Sequence, residues 1–355
     1  MRGIVFTGEV EVRDDVEVRE PGPLEVKVRI YRAGLCHSDV SVINGTIPFP
    51  TPVVLGHEGA GVVEAVGSAV TSVQLGDHVV LTTLGNCGHC AQCDRGWPTR
   101  CLRPFGAFTG RFTMGGKDAY QFANTSVFTD STVVHETQVV AIDKRVPLDS
   151  ACLIGCAVLT GAGAVLNRAK VQPGETVVVI GAGGIGQSVI QAARLSAAGK
   201  IIVVDANPAK EETARAFGAT EFIDASQIKD TVSAVKDLLP LGADYTFECV
   251  GHPALIRQSI DMLGNGGSCI MLGVPGRGTE VSYVVSDMYN DKSIMGCRYG
   301  SSKPHYDIPR VVNWYLDGRF DLDSMVSRTY ELADINTALH DLHEGKLNRG
   351  VLTLD

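Results

Sequence analysis

Residues 176–186 read Thr176-Val-Val-Val-Ile180 followed directly by Gly181-Ala-Gly183-Gly-Ile-Gly186. The first five residues form the apolar run that is typical of a buried strand. The glycines have the spacing G-x-G-x-x-G, and the alanine-rich segment from Ile185 to Ala198 has helical spacing. A strand, a glycine-rich turn and a helix in this order predict a dinucleotide-binding βαβ unit.

Each part of this motif has a physical role in holding a dinucleotide. Gly181 permits the tight turn, Gly183 lets the backbone approach a pyrophosphate, and Gly186 permits close packing of helix against strand. Asp205 ends the next apolar run, where a carboxylate accepts hydrogen bonds from the adenosine ribose. The carboxylate would repel a 2′-phosphate, so NAD is predicted rather than NADP. The alternative is a glycine-rich turn without a ligand.

Strand-type and helix-type segments alternate on both sides of the motif. The predicted strands are Thr176–Ile180, Ile201–Asp205, Glu221–Ile223, Asp244–Val250 and Ser268–Gly273, which is expected to close the sheet. The predicted helices are Ile185–Ala198, a segment beginning at Pro208 and another near Ile228–Leu239. This α/β alternation with apolar strands predicts a doubly wound parallel sheet for residues 159–298.

The flanking regions have a different pattern. Residues 1–158 are rich in loops and short strand-type runs such as Val26–Ile30, Gly61–Val66 and Asp77–Leu81. Within them, residues 85–116 are dense in glycine, cysteine and arginine without a clear period, and they indicate a lobe held by something other than a hydrophobic core. Residues 299–355 contain helical segments such as Ile308–Leu316 and are expected to return to the first domain.

Four of the ten cysteines are crowded into this lobe. Cys87, Cys90, Cys93 and Cys101 supply four soft thiolate ligands, which complete a tetrahedral shell and leave no open position. A structural zinc site is predicted on that ground. An iron–sulfur cluster is the alternative, although the bacterial ferredoxin run spaces its fourth cysteine differently.

A second set of metal-ligating residue types is scattered along the chain: Cys36, His57, Glu58 and Cys156. No spacing unites these residues, and taken alone His57 would be interpreted as an ordinary structural histidine. The residues by themselves therefore leave open whether they form a site.

The order of all these motifs resembles that of the zinc-dependent medium-chain alcohol dehydrogenases, of the medium-chain dehydrogenase/reductase superfamily. Gly56-His57-Glu58-x2-Gly61-x5-Gly67-x2-Val70 is similar to the zinc signature of that family. Cys36-His37-Ser38-Asp39 precedes it, and the cysteine lobe, Gly155-Cys156 and the glycine-rich turn follow in the family's order. The resemblance covers essentially the whole chain. It implies a β-rich GroES-like catalytic domain joined to a Rossmann domain.

The resemblance assigns roles to the scattered set. Cys36, His57 and Cys156 match the three protein ligands of the catalytic zinc, the family's known Cys2His arrangement with one open position. Glu58 matches a neighbouring carboxylate that can approach the metal. Asp39 matches the group that orients the histidine. Ser38 matches the hydroxyl that contacts the alcohol and accepts its proton.

The resemblance also implies contacts with NAD beyond the glycine motif. His37 and Arg349 match contacts with the pyrophosphate, and Lys210 matches a contact with the adenosine ribose. Six further positions match residues that line the cofactor, although plain core packing would also explain them: Thr160, Ile185, Val250, Leu272, Val274 and Tyr299.

Two departures from the family pattern bear on the reaction. Many relatives have a histidine five residues after the first zinc cysteine, where it completes a proton relay, but this chain has Ser41. The glutathione-dependent formaldehyde dehydrogenases carry an acidic residue near Asn44–Phe49, and this segment has none. The second departure argues against a glutathione adduct as the substrate.

Composition and charge argue against nucleic acid and membranes as partners. The net charge is −9 and no basic stripe is present, which argues against nucleic acid. No apolar run approaches the about 20 residues of a membrane span, and the N-terminus lacks a secretory signal. We expect a cytoplasmic protein that forms a homodimer or homotetramer by analogy with the family.

The reaction expected from the resemblance is NAD-linked, reversible oxidation of an alcohol to an aldehyde or ketone, with two zinc ions per chain. An aryl, allylic or other bulky primary alcohol is the predicted substrate, and a polyol or other secondary alcohol is the alternative. A non-catalytic redox sensor that binds zinc and nucleotide is the alternative from another class.

Overall fold

The computed structural model describes residues 1–102 and 108–355. The chain divides into two compact units. The first consists of Met1–Cys156, Lys303–Gly318 and Leu322–Asp355, and the second of Ala157–Ser302 and Arg319–Asp321. The divisions predicted after residues 158 and 298 lie within a few residues of these. Residues 103–107 of the predicted lobe 85–116 lie outside the described residues.

The described residues form the following strands and helices. In order they are β1 (Gly3–Phe6), β2 (Val10–Arg13), β3 (Val16–Val18), β4 (Glu25–Gly34), β5 (Val53–Val54), β6 (Glu58–Val66), β7 (His78–Leu81), β8 (Phe108–Met114), β9 (Lys117–Gln121), β10 (Ser131–His135), β11 (Val139–Ala141), β12 (Thr176–Ile180), β13 (Lys200–Asp205), β14 (Glu221–Asp224), β15 (Ala243–Glu248), β16 (Leu263–Met271), β17 (Ser293–Gly296), β18 (Val326–Glu331) and β19 (Arg349–Thr353). The α-helices are α1 (His37–Ile43), α2 (Ala91–Asp94), α3 (Leu148–Ala151), α4 (Leu159–Gly163), α5 (Gly184–Leu195), α6 (Glu211–Phe217), α7 (Thr231–Leu238), α8 (Pro253–Asp261), α9 (Val285–Met288), α10 (Pro304–Leu316) and α11 (Ile335–His343).

The first unit contains two sheets built mainly from antiparallel pairs. One has the strand order β2-β1-β5-β9-β8-β3, and the other has the order β11-β7-β6-β4-β19-β18 with β10 also pairing with β4. In β4, Val26, Val28 and Ile30 are buried while Lys27 and Arg29 between them are not. This alternation is the one that the sequence predicts, and it directs one face of the strand into the core.

The second unit is a sheet of parallel strands in the order β14-β13-β12-β15-β16-β17. Its strand β12 has the predicted bounds, and the doubly wound α/β prediction is confirmed. The expectation that Ser268–Gly273 closes the sheet is wrong, because β17 pairs with β16 beyond it. Strand β17 has only four residues, none of them buried, so it lacks the apolar run that marks a central strand.

A helical stretch from Leu148 to Ala169 contains α3, α4 and two π-helical turns. It is 22 residues long and apolar enough to pass a length and composition test for a membrane span, which the sequence analysis did not anticipate. Of its most apolar window, 83% is buried inside the protein. Its apolar composition is therefore accounted for by core packing.

Candidate active site and metal centres

The structure assembles the candidate metal-ligating residues into two separate groups, and both groups lie in the first unit. Cys87, Cys90, Cys93 and Cys101 form one group, and Cys36, His57, Glu58 and Cys156 form the other. Within each group, the atoms that would bind a metal all lie within 4.8 Å of one another. Residues that are distant in sequence, such as Cys36 and Cys156, therefore meet at one point.

The four-cysteine group has the dimensions of a tetrahedral thiolate site. Cys90 Sγ lies 3.6 Å from Cys93 Sγ and 4.0 Å from Cys101 Sγ, and zinc with Zn–S bonds of about 2.3 Å would place its sulfurs about 3.8 Å apart. The backbone N–H of Leu102 donates to Cys90 Sγ, which lowers the pKa of that thiol to about 6. These residues fit a structural zinc ion.

The second group is assembled by strand pairing. Strands β4 and β6 are antiparallel, with Gly34 opposite Glu58. Cys36, two residues beyond Gly34, therefore lies beside His57, the residue that precedes β6. Cys156 reaches the same point from a π-helical turn that follows α3, a type of turn often found at functional sites.

His57 is oriented from one side by Asp39. Asp39 accepts a hydrogen bond from the backbone N–H of Gly56, and its Oδ2 lies 3.1 Å from His57 Nδ1 at an ion-pair distance without hydrogen-bond alignment. Burial would lower the pKa of His57, but the negative charges of Asp39 and Cys36 outweigh burial and raise that pKa well above its usual value. His57 Nε2 is buried and has no hydrogen-bond partner among the described residues.

The two thiols of this group share one proton position. Hydrogen bonding from Cys156 lowers the pKa of Cys36 well below its usual value. A divalent cation would replace that shared proton and also satisfy His57 Nε2, so the donor set fits a Cys2His zinc site. Ser38 Oγ lies 3.8 Å from Cys36 Sγ, and thus beside the ligand atoms.

Glu58 and Arg349 form a buried ion pair next to these ligands. Arg349 Nη2 donates to Glu58 Oε2, while Glu58 Oε1 has no hydrogen-bond partner among the described residues. Burial raises the pKa of Glu58 to about 7, although Arg349 counteracts this. A carboxylate oxygen of Glu58 lies among the ligand atoms of the group, and the expected approach of Glu58 to the metal stays a prediction.

One aromatic ring contacts the histidine, and a second ring contacts the first. The Phe122 ring contacts the His57 ring edge to face, with centroids 5.4 Å apart, and contacts the Phe49 ring in the same way at 5.4 Å. The sequence analysis did not identify Phe122. No spacing relates it to His57, because an extended stretch of several strands separates the two residues.

In the second unit, the glycine motif begins where β12 ends. Gly181 has a positive φ of 92°, which an L-residue with a side chain rarely adopts. Asp205, at the end of β13, accepts hydrogen bonds from the backbone N–H of Ala182 at 2.7 Å and from Lys210 Nζ at 3.1 Å. The predicted ribose-binding carboxylate and lysine therefore lie together beside the glycine-rich turn, where the family places the adenosine ribose.

The other predicted cofactor positions of this unit differ in exposure. Val250 and Val274 follow β15 and β16 and are 51% and 65% exposed, which is unusual for large apolar side chains. Thr160 and Leu272 are buried, and Ile185, Gly183 and Tyr299 are partly buried. His37 and Arg349 belong to the first unit, so their contacts with the cofactor stay predictions.

Comparison with known proteins decides the family. Residues 22–144 match the model of the alcohol dehydrogenase GroES-like domain, and residues 184–317 match that of the zinc-binding dehydrogenases. An S-(hydroxymethyl)glutathione dehydrogenase of Synechocystis is 38% identical over 95% of both chains. The same named enzyme of Komagataella pastoris is 37% identical over 96% of this chain and 93% of the relative.

The chain belongs to the zinc-dependent medium-chain dehydrogenase family. Solved structures of this family agree. An alcohol dehydrogenase zinc-binding domain protein of Burkholderia ambifaria is 36% identical, with a TM-score of 0.95 over 100% of this chain and 98% of that one. A benzyl alcohol dehydrogenase of Acinetobacter calcoaceticus is 34% identical, with a TM-score of 0.94 over 100% and 99%.

Membership confirms the enzyme class and the cofactors. This zinc-dependent medium-chain dehydrogenase is an oxidoreductase that acts on CH–OH groups of small-molecule alcohols, zinc fits both donor sets, and NAD is typical of the family. The oligomeric state and the cytoplasmic location stay predictions.

Proposed function

We propose that this enzyme oxidises aryl or allylic primary alcohols to aldehydes, reversibly and with NAD. The observation that carries the proposal is a pair of aromatic rings beside the zinc-ligand histidine: the Phe122 ring contacts His57 edge to face, and the Phe49 ring contacts Phe122 in the same way. Flat aromatic surfaces favour offset or edge-to-face contact with an aromatic substrate, and such contacts contribute about 0.5–1.5 kcal/mol beyond burial.

The absence of charged residues in the segment that contains Phe49 supports the same substrate class. Between α1 and β5 the chain reads Asn44-Gly-Thr-Ile-Pro-Phe49, which holds no charged residue. Ile47 and Phe49 are half-buried and pack against the core of the first unit. A hydroxymethylglutathione has a charged tail that favours partners of opposite charge, and the side chains of this segment are all uncharged. The name of the benzyl alcohol dehydrogenase neighbour is consistent with this proposal.

Each residue of the site would have a distinct role in the reaction. Cys36, His57 and Cys156 would hold zinc, which when bound lowers the pKa of a coordinated hydroxyl group. Asp39, whose Oδ2 lies 3.1 Å from His57 Nδ1, would favour the tautomer of His57 that leaves Nε2 free to bind the metal. Ser38 Oγ, beside Cys36 Sγ, accepts the proton that leaves the alcohol and passes it toward solvent.

The names of the sequence relatives favour a second candidate, oxidation of S-(hydroxymethyl)glutathione. The two candidates are separated by measuring kcat/KM, from NADH absorbance, with benzyl alcohol, cinnamyl alcohol, ethanol, sorbitol and formaldehyde plus glutathione. We expect the first two substrates to exceed the others. A higher value with the glutathione adduct, or with sorbitol, would overturn the proposal.

A pair of variants tests the aromatic contact itself. Phe49→Ala should lower kcat/KM for benzyl alcohol by about tenfold, equivalent to about 1.4 kcal/mol, and change ethanol oxidation much less. Phe6→Ala is the matched control, because Phe6 is also a half-buried phenylalanine at the margin of the same core but lies in β1. An equal loss for both alcohols in Phe49→Ala would count against an aromatic substrate contact.

A further inference from the structure

Glu248 is a buried carboxylate at the end of an apolar strand, and the reaction described above does not use it. It is the last residue of β15 and is 0% exposed. Burying a carboxylate costs free energy unless its oxygens are satisfied. The sequence analysis passed over Glu248, although an acid inside the apolar run that ends β15 was the signal that could have identified it.

The side chain of Glu248 holds the loop that follows its own strand. The backbone N–H of Val250 donates to Oε1 at 2.9 Å, and that of Gly251 donates to Oε1 at 2.8 Å and to Oε2 at 3.0 Å. These bonds counteract the effect of burial, which raises the pKa of Glu248. Both carboxylate oxygens therefore act as acceptors, and in a glutamine the NH2 group that replaces Oε2 would face the N–H of Gly251 and could not accept from it.

The backbone of Glu248 holds a second loop. Its carbonyl oxygen accepts hydrogen bonds from the N–H groups of Leu272 at 2.8 Å and Gly273 at 3.0 Å, which follow β16. A side chain at Gly273 would collide with the backbone of Gly251, so the two loops are packed directly together. One residue thus ties the loop that carries Val250 to the loop that carries Val274.

The sheet topology indicates which half of a dinucleotide these loops meet. The strand order reverses between β12 and β15, and a dinucleotide lies across that crevice at the carboxyl ends of the strands. Asp205 ends β13 on one side of β12 and marks the adenosine half. The loops after β15 and β16 are on the other side of β12, where the nicotinamide half would lie, and they carry the exposed side chains of Val250 and Val274.

We propose that Glu248 is a positioning residue for the nicotinamide half of the cofactor. Its carboxylate and its carbonyl together hold both loops, so that Val250 and Val274 are already placed before NAD binds. The proposal rests on the family's use of NAD and does not depend on which alcohol is the substrate, so a failure of the substrate proposal leaves it intact.

The test measures the binding of NADH and of ADP-ribose, which lacks nicotinamide, by titration calorimetry in the absence of alcohol. Glu248→Gln should raise the Kd for NADH by about tenfold and that for ADP-ribose by less than about twofold. Asp244→Asn is the matched control, since the Asp244 carboxylate caps Thr176 at the opposite end of β15. It should leave both Kd values unchanged.

An unchanged NADH affinity in Glu248→Gln, or an equal loss for both ligands, would overturn the proposal. The wild-type enzyme gives a second test that needs no variant. In hydrogen–deuterium exchange, the amides of Val250 and Gly251 should be protected before NADH is added. Protection that arises only with NADH would show that the loop is ordered by the cofactor and not by Glu248, which would also overturn it.

Discussion

Arg349 donates a hydrogen bond to Glu58 across 291 positions of sequence, and both side chains are buried next to the catalytic ligand set. Strand β19 pairs with β4 so that Val351 lies opposite Gly34, and β6 pairs with β4 so that Glu58 lies opposite the same residue. The two strands that flank β4 therefore deliver the two charges to one place.

Removing one member of this pair should destabilise the enzyme strongly. Arg349→Met would leave the Glu58 carboxylate buried without its partner, at a cost of about 3–5 kcal/mol in the free energy of unfolding. The measurement is urea unfolding of the zinc-loaded enzyme. The double variant Glu58→Gln/Arg349→Met should lose less than the sum of the two single variants. Additive losses would contradict the coupling.

The two donor sets should respond differently to serine substitution. Elemental analysis should find two zinc ions and no iron per chain, and iron would favour the cluster alternative for the cysteine lobe. Cys90→Ser should lower both the zinc content and the melting temperature, because a closed thiolate site contributes to folding. Cys156→Ser should abolish activity while circular dichroism stays unchanged. Cys269→Ser, a buried cysteine in β16, is the control and should keep both ions.

Cofactor preference should depend on Asp205. The wild-type enzyme should have a much higher kcat/KM with NAD than with NADP, because the carboxylate is predicted to lie beside the ribose hydroxyls. Asp205→Gly should lower kcat/KM with NAD and reduce the difference between the kcat/KM values for NAD and NADP. Asp224→Asn, at the end of the neighbouring strand β14, should change neither value. Equal kcat/KM for both cofactors in the wild-type enzyme would show that Asp205 does not discriminate.

Sequence reasoning succeeded where the chemistry is local in sequence. The glycine motif, Asp205 and the four cysteines each lie within one short segment, whose period or spacing carries the information. The Glu58–Arg349 pair and the contact of Phe122 with His57 depend instead on strand pairing between distant segments. The scattered set of Cys36, His57 and Cys156 was found through family resemblance, since spacing alone did not unite it. Strand β17 was missed because it is short and exposed.

The hydroxyl of Ser38 should be needed for the chemical step. Ser38→Ala should lower kcat and kcat/KM together, as expected when an interaction made only in the transition state is lost. Ser38→Thr keeps a hydroxyl group at this position and should retain much of the activity. Direct titration should give the same NADH affinity for all three proteins. A change confined to KM would mean that Ser38 serves only to bind the alcohol.

The missing relay histidine should be restorable at position 41. Ser41 lies in α1, and its carbonyl oxygen accepts a hydrogen bond from the N–H of Ile47 at 2.8 Å. Its own hydroxyl does not ionise near neutral pH, so it cannot act as a titrating base. Ser41→His introduces a base with an unperturbed pKa of about 6.5, which accepts protons above that pH.

If proton release limits turnover, Ser41→His should raise kcat near pH 7 and add an inflection to the pH profile of kcat near the new pKa. A deuterated benzyl alcohol provides the control, because a large isotope effect on kcat shows that the chemical step limits the rate. An unchanged profile together with a large isotope effect would show that the proton leaves from Ser38 by a route that avoids position 41. An unchanged profile without an isotope effect would place the limit at NADH release, as in many dehydrogenases whose slow step is product release.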